Sequence, residues 1–303
     1  MRTAYLGTSE FAAAVLRRLA ASPHRPALVV TPADARRGRG RRLASPPAAD
    51  TARELGLSVH QTADVNAPES VAAIEAANPD VIAVCAFGQL IREPLLSEHL
   101  MLNVHPSLIP RWRGAAPIER AILAGDERTG VTIMRVTAGL DSGPVALRRE
   151  LEMEPGEGYE SVAGRLAELG GEALVEALDR AAGGELEFTD QDESEATYAE
   201  KVSPEERRLD PARPAQELAR AVRALNPRVG THIELAGGGR LGIRAAVALP
   251  DGPPQGAIER AGDRILLGTA DGALELLAVQ PPGAREMAAA DYARGHPLPD
   301  WAA

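Results

Sequence analysis

The chain has 303 residues, of which 45% are hydrophobic, 25% charged and 3% aromatic, a composition typical of a globular protein of about two domains. Its one cysteine, Cys85, excludes an intrachain disulfide framework, and the surrounding apolar run DVIAVCAF predicts a buried, inert thiol. The formal net charge of −10 excludes a protein that is basic throughout. Because neither a secretion leader nor an apolar run of about 20 residues is visible, we expect a cytoplasmic protein.

The first 188 residues alternate short apolar runs with helical patterns. This alternation predicts a mostly parallel, wound α/β sheet. The predicted strands are Thr3–Leu6, Ala27–Thr31, Asp80–Ala86, Leu102–His105 and Val131–Val136. The predicted helices run from the GTSEF turn to about Ala20, and over Asp50–Leu55, Pro68–Ala77, Pro117–Leu123 and about Gly158–Ala182.

The pattern changes after residue 188. Residues 189–206 carry seven acidic side chains and one basic side chain without apolar periodicity, which predicts a linker. Residues 207–303 begin with a predicted helix over about Ala212–Leu225 and continue as short strands separated by Gly and Pro, which indicates a small antiparallel barrel. These strands are Thr231–Leu235, Arg240–Ala248, Gly256–Arg260, Arg264–Leu267 and Ala273–Val279.

A basic cluster interrupts the acidic first domain after its second predicted strand. Its five arginines in seven residues are Arg36, Arg37, Arg39, Arg41 and Arg42. The intervening glycines predict an irregular loop. Guanidinium groups match phosphate oxygens in geometry, so the loop could contact a nucleic-acid backbone. A solvated charge cluster without a ligand explains the same residues.

Several common ligand motifs are absent from the sequence. The GTSEF turn follows the first strand, yet the chain has no G-x-G-x-x-G fingerprint, no Walker-type loop and no G-x-S-x-G elbow. The six histidines are scattered along the chain without the spacing of metal ligands. We therefore expect neither a bound dinucleotide nor a metal ion.

Asn103, His105 and Asp141 form the strongest candidate site. Residues two apart on a strand share a face, so Asn103 and His105 project together, and Asp141 follows the next predicted strand. The amide can hold an oxyanion, the imidazole can move a proton, and the carboxylate can set the charge of the imidazole. This set suits acyl transfer to an amine. A structural Asn/His pair at a strand end is the alternative.

The same region resembles the formyltetrahydrofolate-dependent formyltransferase family. The resemblance rests on NVHPSLIPRWRGAAPIERAILAGDERTGVTIMRV and GLDSGP. It extends over the whole chain to the members that act on methionyl-tRNA, through YLGTSEFA, GRGRR, DVIAVCAFGQLI, TYAEKV, ALNP and LLAVQPPG. It implies a Rossmann-like formyltransferase fold in residues 1–188 and an OB-like, tRNA-binding barrel in residues 207–303, joined by the acidic linker.

The resemblance also implies roles for individual residues. Asn103, His105 and Asp141 match the catalytic residues of the family. The positions that match its folate contacts are Ser107, Leu108, Ile109 and Pro110, with Phe87, Gly88, Gln89, Leu90, Gly139 and Leu140. The arginine cluster, within about Thr31–Pro47, matches a loop that meets the tRNA acceptor end. The implied substrates are 10-formyltetrahydrofolate and initiator methionyl-tRNA, without a metal and without a membrane, and we expect a monomer.

Two departures from the family pattern affect the tRNA contacts. The basic loop begins TPADARRGRGRR in place of a more regular Lys-Pro-Asp start, and Asn226-Pro227 continues as RVGTH in place of an aromatic or small-residue turn. Other functions remain open on the N-terminal motif alone. They are formylation of a small amine such as glycinamide ribonucleotide or an amino sugar nucleotide, hydrolysis of formyltetrahydrofolate, and tRNA binding without catalysis.

Overall fold

The computed structural model describes residues 1–37, 42–236 and 238–296, and it divides into two compact units. The first unit comprises Met1–Pro117, Arg128–Glu152 and Ala163–Ala199, and the second comprises Ile118–Glu127, Met153–Val162 and the chain from Glu200 onward. The strands are β1 (Thr3–Gly7), β2 (Pro26–Pro32), β3 (Ala35–Arg37), β4 (Arg42–Ala44), β5 (Val59–Thr62), β6 (Val81–Cys85), β7 (Leu100–His105), β8 (Arg113–Gly114), β9 (Arg128–Arg135), β10 (Val145–Glu152), β11 (Tyr198–Ala199), β12 (Thr231–Glu234), β13 (Arg240–Leu249), β14 (Ile258–Ala261), β15 (Arg264–Gly268), β16 (Ala273–Gln280) and β17 (Met287–Ala288). The α-helices are α1 (Glu10–Ala20), α2 (Pro47–Glu54), α3 (Pro68–Ala77), α4 (Leu95–Glu98), α5 (Pro117–Ala124), α6 (Tyr159–Gly183), α7 (Ala215–Leu225) and α8 (Ala289–Gly295).

The first unit is built on a seven-stranded sheet in the order β10-β9-β7-β6-β1-β2-β5. The ladders among β5, β2, β1, β6 and β7 are parallel, whereas β9 pairs antiparallel with both β7 and β10. Strands β1 and β6 are buried along their whole length, as expected for central strands covered on both faces. The predicted mostly parallel wound sheet is confirmed.

Two of the sheet's strands were not predicted from the sequence, and both are edge strands. β5 (VHQT) and β10 (VALRRELE) lie at the two ends of the strand order, and each carries polar or charged side chains. An edge strand is covered on fewer sides, so it lacks the continuous apolar run that marks β1 or β6. All five strands predicted in residues 1–188 are present, with ends that shift by up to three residues.

Helix α1 connects β1 to the second strand and begins at a defined cap. The Ser9 hydroxyl accepts a hydrogen bond from the Ala12 N–H at 3.3 Å, which satisfies one free donor of the first helical turn. Gly7 precedes this turn because a Cβ there would lie 2.6 Å from the Tyr5 ring and 2.9 Å from the Ala12 Cβ. The GTSEF segment thus serves a tight strand-to-helix connection.

The second unit contains a six-stranded antiparallel sheet in the order β12-β13-β16-β15-β14, with β17 paired to β16. Helix α7 buries Leu218, Val222 and Leu225 on one face. Leu218 and Val222 belong to the hydrophobic core of this unit, which also includes Ile233 and Ile243 of the sheet. The predicted C-terminal antiparallel β domain, preceded by one helix, is therefore confirmed.

Cys85 is buried in β6, as predicted. Burial disfavours the thiolate and raises the pKa of Cys85 to about 12, although a hydrogen bond with Tyr5 acts in the opposite direction. The thiol therefore stays protonated and unreactive at neutral pH. No helix in the described part of the chain is long and apolar enough to cross a membrane.

Candidate active site

Strand β7 places Asn103 and His105 on one face of the sheet. The alternate residues Leu102 and Val104 are 0% and 1% exposed, so they face the core. Asn103 is half-buried and His105 is 4% exposed. The Asn103 amide makes no hydrogen bond to any residue that the structure describes. The strand therefore holds an uncommitted amide beside a buried imidazole.

The turn that follows β7 fixes the tautomer of His105. Its Nε2 lies 2.9 Å from the Trp112 carbonyl oxygen. A carbonyl only accepts hydrogen bonds, so Nε2 carries the hydrogen. In the neutral ring, Nδ1 therefore has no hydrogen and presents a lone pair. That Nδ1 lies 3.6 Å from Oδ2 of Asp141. A proton that arrives at Nδ1 would thus face a carboxylate.

Asp141 reaches the imidazole from the loop 137–143. It adopts a left-handed backbone conformation with φ of +46°, and its Oδ2 accepts a hydrogen bond from the Gly114 N–H at 2.9 Å. Since β9 runs antiparallel to β7, this loop must fold back to approach His105. The sequence does not reveal this reversal.

These three side chains line a cavity of about 580 Å³, within the range of small-molecule sites. Six of the ten positions predicted to contact folate line the same cavity, namely Phe87, Gly88, Gln89, Leu90, Gly139 and Leu140. Leu90 and Leu140 are each 63% exposed, so the cavity has two apolar side chains free to cover a ligand.

Gln89 shows why the 87–90 segment offers backbone rather than side-chain groups. Its Oε1 accepts from the Val65 N–H at 2.8 Å and its Nε2 donates to the Thr62 carbonyl at 3.2 Å. The amide is therefore committed to holding a neighbouring loop. The segment is also fixed by the Thr8 hydroxyl, which donates to the Phe87 carbonyl at 2.6 Å.

The remaining predicted folate positions, Ser107, Leu108, Ile109 and Pro110, are not among the residues that line the cavity. The buried Ser107 hydroxyl donates to the Arg111 carbonyl at 2.6 Å, and Ile109 packs in a small core with Met134 and Val145. These contacts fix the turn that follows β7 against the protein interior. Its folate contact stays a prediction.

The basic cluster begins and ends in paired strands. Strands β3 and β4 pair antiparallel, with Arg37 opposite Arg42, and Arg36 is exposed. Arg39 and Arg41 lie outside the described residues.

Sequence reasoning missed Arg113 and Gln191. Arg113 is 2% exposed and donates to the side chains of Gln191 and Glu193. Gln191 in turn donates to the backbone of the Asp141 loop. Neither residue stands in a periodic pattern, and Gln191 lies in a segment that reads as an acidic linker. Two long-range contacts bring this segment to the site: the parallel pairing of β8 with β11 and the backbone bridge between Val145 and Thr189.

Among residues 1–37, 42–236 and 238–296, no group of three or more His, Cys, Asp or Glu side chains is arranged to hold a metal ion. The candidate site offers one imidazole and one carboxylate, which line the same cavity as the neutral Asn103 amide.

Gly143→Ala is expected to disturb the Asp141 loop. A Cβ at Gly143 would lie 1.8 Å from the Arg135 carbonyl oxygen, so the backbone must move, at a cost of about 1–3 kcal/mol. Gly164→Ala is the matched control, because a Cβ at this position in α6 meets nothing within 4 Å and alanine favours the helix. Thermal unfolding compares the variants, and equal midpoints would contradict the close approach.

Comparison with family models gives two matches along the chain. The model described as "Formyl transferase" matches residues 1–178, and "Formyl transferase, C-terminal domain" matches residues 201–297.

Curated relatives match over almost the full length. A methionyl-tRNA formyltransferase of Methylococcus capsulatus is 43% identical over 303 residues, with 98% of each chain covered. One of Marinobacter nauticus is 39% identical, with 97% of this chain and 96% of its own length covered.

Solved structures share the fold at low identity. HypX from Aquifex aeolicus, in complex with tetrahydrofolic acid, has a TM-score of 0.66 at 20% identity, covering 96% of this chain. This chain spans 46% of the length of HypX. The sugar 3N-formyl transferase WlaRD has a TM-score of 0.67 at 12% identity, covering 94% of this chain and 99% of its own.

Proposed function

The chain belongs to the formyl transferase family, and we propose that it transfers a formyl group from 10-formyltetrahydrofolate to the α-amine of initiator methionyl-tRNA. The observation that carries this proposal is the cavity in which the Asn103 amide, His105 and Asp141 converge. Relatives near 40% identity that are named methionyl-tRNA formyltransferases support the choice of acceptor.

The reaction needs a neutral amine as nucleophile. An α-amine has a reference pKa near 8, so a useful neutral fraction exists at pH 7 and grows as the pH rises. When the amine attacks the formyl carbon, negative charge develops on the formyl oxygen. The Asn103 Nδ2–H is a neutral donor that can hold this oxyanion in a partly buried site.

The attacking amine becomes positively charged and must lose a proton. The Nδ1 lone pair of His105 can take this proton, because the Trp112 carbonyl holds the hydrogen on Nε2. The Asp141 carboxylate, 3.6 Å away, then stabilises the imidazolium. The proton can return to the folate nitrogen when the C–N bond breaks, so the step balances without a covalent enzyme intermediate.

The folate is proposed to occupy the same cavity. Leu90 and Leu140 can pack against its ring systems, while backbone groups of 87–90 and of 139–140 can bond the pterin edge. The stretch Ser107–Pro110 is proposed to complete the rim, as the family resemblance implies.

We propose that the tRNA contacts two regions of the chain, the arginine cluster and the C-terminal β domain. The arginine cluster between β2 and α2 would meet phosphates of the acceptor arm, and the C-terminal β domain would supply further backbone contacts. In this proposal residues 1–188 catalyse, 189–206 link and 207–303 bind tRNA. The protein would act as a monomer in the cytoplasm, where charged tRNA is found.

The deciding experiment incubates the chain with labelled 10-formyltetrahydrofolate and candidate acceptors. Label should pass to charged initiator methionyl-tRNA and much less to elongator methionyl-tRNA. Transfer to glycinamide ribonucleotide or an amino sugar nucleotide, in preference to the tRNA, would identify the small-amine alternative. Release of formate without an acceptor would identify a hydrolase, and tRNA binding without transfer would identify a non-catalytic relative.

A salt titration tests the arginine cluster. Affinity for tRNA should fall steeply as the salt concentration rises. The double variant Arg41→Gln, Arg42→Gln should reduce the slope of log affinity against log salt concentration by roughly 0.7–0.9 for each phosphate that is no longer neutralised. The control replaces Arg17 and Arg128, which are 54% and 66% exposed, by glutamine. The proposal for the cluster is wrong if both double variants show the same slope as the unaltered chain.

A further inference from the structure

The Gln191 side chain uses every hydrogen-bonding group of its amide. Its Oε1 accepts from Nε and Nη2 of Arg113 at 3.0 and 2.7 Å. Its Nε2 donates to the carbonyl oxygens of Asp141 and Gly143 at 2.9 and 2.6 Å. The amide therefore bridges a buried guanidinium and the loop that carries Asp141.

The orientation of this amide follows from the chemistry of its partners. A guanidinium only donates and a carbonyl only accepts, so Oε1 must face Arg113 and Nε2 must face the loop. Arg113 cannot turn away, because its Nη1 and Nη2 donate to the two oxygens of Glu193 at 2.8 and 2.7 Å. Its backbone N–H is also fixed, by the Thr197 carbonyl at 2.9 Å.

The Asp141 loop needs such support. A non-glycine residue in the left-handed region is strained, and it persists where surrounding contacts hold it. Asp141 is held at two points that both depend on the 113–114 turn. Its carboxylate accepts from the Gly114 N–H, and its carbonyl is bonded by Gln191, which Arg113 orients.

Asp141 must keep its carboxylate close to His105 for the proposed proton transfer. The two groups are 3.6 Å apart and lie on different segments, so rotation of the loop would separate them. Displacements of about 1 Å in such arrangements can cost on the order of 100-fold in rate.

We infer that Gln191 is a positioning residue for Asp141, and that Arg113 acts by fixing the direction of the Gln191 amide. Neither residue is among the ten predicted folate positions or lines the cavity. The inference rests on the proposed function, since it assigns the two residues a part in formyl transfer. It extends the site into residues 191–199, which the sequence presents as part of a linker.

Gln191→Glu is the sharpest test. The glutamate has the same size and keeps an acceptor for Arg113, but it places a second acceptor against the carbonyls of Asp141 and Gly143. We expect kcat to fall by about 10- to 100-fold while KM for folate and for tRNA stays within about 3-fold. Amide hydrogen exchange in 137–143 should also accelerate, which is measurable without any activity.

Gln280→Glu is the matched control, because Gln280 in the second unit also bridges an arginine and a backbone carbonyl. Its Oε1 accepts from Nε and Nη2 of Arg244, and its Nε2 donates to the Ala284 carbonyl at 3.0 Å. This variant carries the same charge change, and it should leave amide hydrogen exchange in 137–143 at the rate of the unaltered chain.

A double variant separates positioning from general destabilisation. If Gln191 acts through Asp141, then Gln191→Glu should lower kcat little further in an Asp141→Asn background. Fully additive reductions in kcat, or a normal kcat in the single variant, would overturn the inference. Should Gln191→Glu fail to fold, Gln191→Met is judged by the same criteria.

The proposed function and the positioning role fail in different ways. If the unaltered chain formylates no charged tRNA, the proposed function is wrong, and hydrogen exchange alone then decides whether Gln191 holds the loop. If the unaltered chain is active and Gln191→Glu matches it, only the positioning role is wrong.

Discussion

Asn103→Ala is expected to lower kcat for formyl transfer by about 100- to 1,000-fold, the usual effect of removing one oxyanion donor. The physical reason is the free state of the amide, which forms no hydrogen bond to the described residues and faces the cavity beside His105. A side-chain amide without a partner among the described residues is available to a charge that develops on the substrate. Single-turnover assays with saturating charged tRNA measure the effect.

The isosteric variant Asn103→Asp sharpens the same prediction. It preserves size, removes both donors and places negative charge where the oxyanion would form, so it should be at least as inactive as Asn103→Ala. Because the amide forms no hydrogen bond to a described residue, both variants should retain the unfolding midpoint of the unaltered chain to within a few degrees. Near-normal turnover in either variant would remove Asn103 from the chemistry.

The parts of the fold that sequence predicts well are those with strong periodic signals. Helix α3 begins and ends at the residues expected, Pro68 and Ala77, because proline marks its first turn. The central strand β6 lies within the apolar run that predicts it. The edge strands β5 and β10 are not predicted because their polar and charged side chains interrupt the apolar run that marks a buried strand.

Strand direction and loop path are harder to predict than strand position. The apolar run of β9 indicates a strand but not that it runs antiparallel to β7, since direction depends on how the chain between them crosses the sheet. The approach of Asp141 to His105 depends on that reversal and on a left-handed residue within the loop. Neither property leaves a periodic trace in the sequence.

The candidate site shows the same contrast between local patterns, which the sequence predicts, and long-range contacts, which it does not. The spacing of Asn103 and His105 predicts a shared face, and the cavity brings them together with Asp141. The supporting residues Arg113 and Gln191 lie 78 residues apart in sequence, and they meet because long-range pairings, among them that of β8 with β11, join their two segments. Long-range pairing of this kind has no local pattern from which it could be predicted.

Asp141→Asn is expected to lower kcat by about 100- to 1,000-fold with little change in fold. Asparagine keeps an oxygen that can accept from the Gly114 N–H, so the loop should hold its shape. It removes the charge that faces Nδ1 of His105 at 3.6 Å. Attraction between unit charges at such a distance is on the order of 4 kcal/mol at an effective dielectric constant near 20, before solvent screening, and this charge pair forms only when the amine proton moves to the imidazole.

The size of this effect depends on where the carboxylate acts. If it stabilises the imidazolium in the transition state, kcat falls while the KM for folate and for tRNA changes little. Asp271→Asn is the matched control, because that carboxylate also accepts a hydrogen bond from a backbone N–H, that of Ala215 at 2.8 Å, in the second unit. A rise in KM with unchanged kcat would instead assign Asp141 to substrate binding. If Asp141→Asn and Asp271→Asn had equal effects, the role of Asp141 would be limited to holding the backbone that its carboxylate bonds.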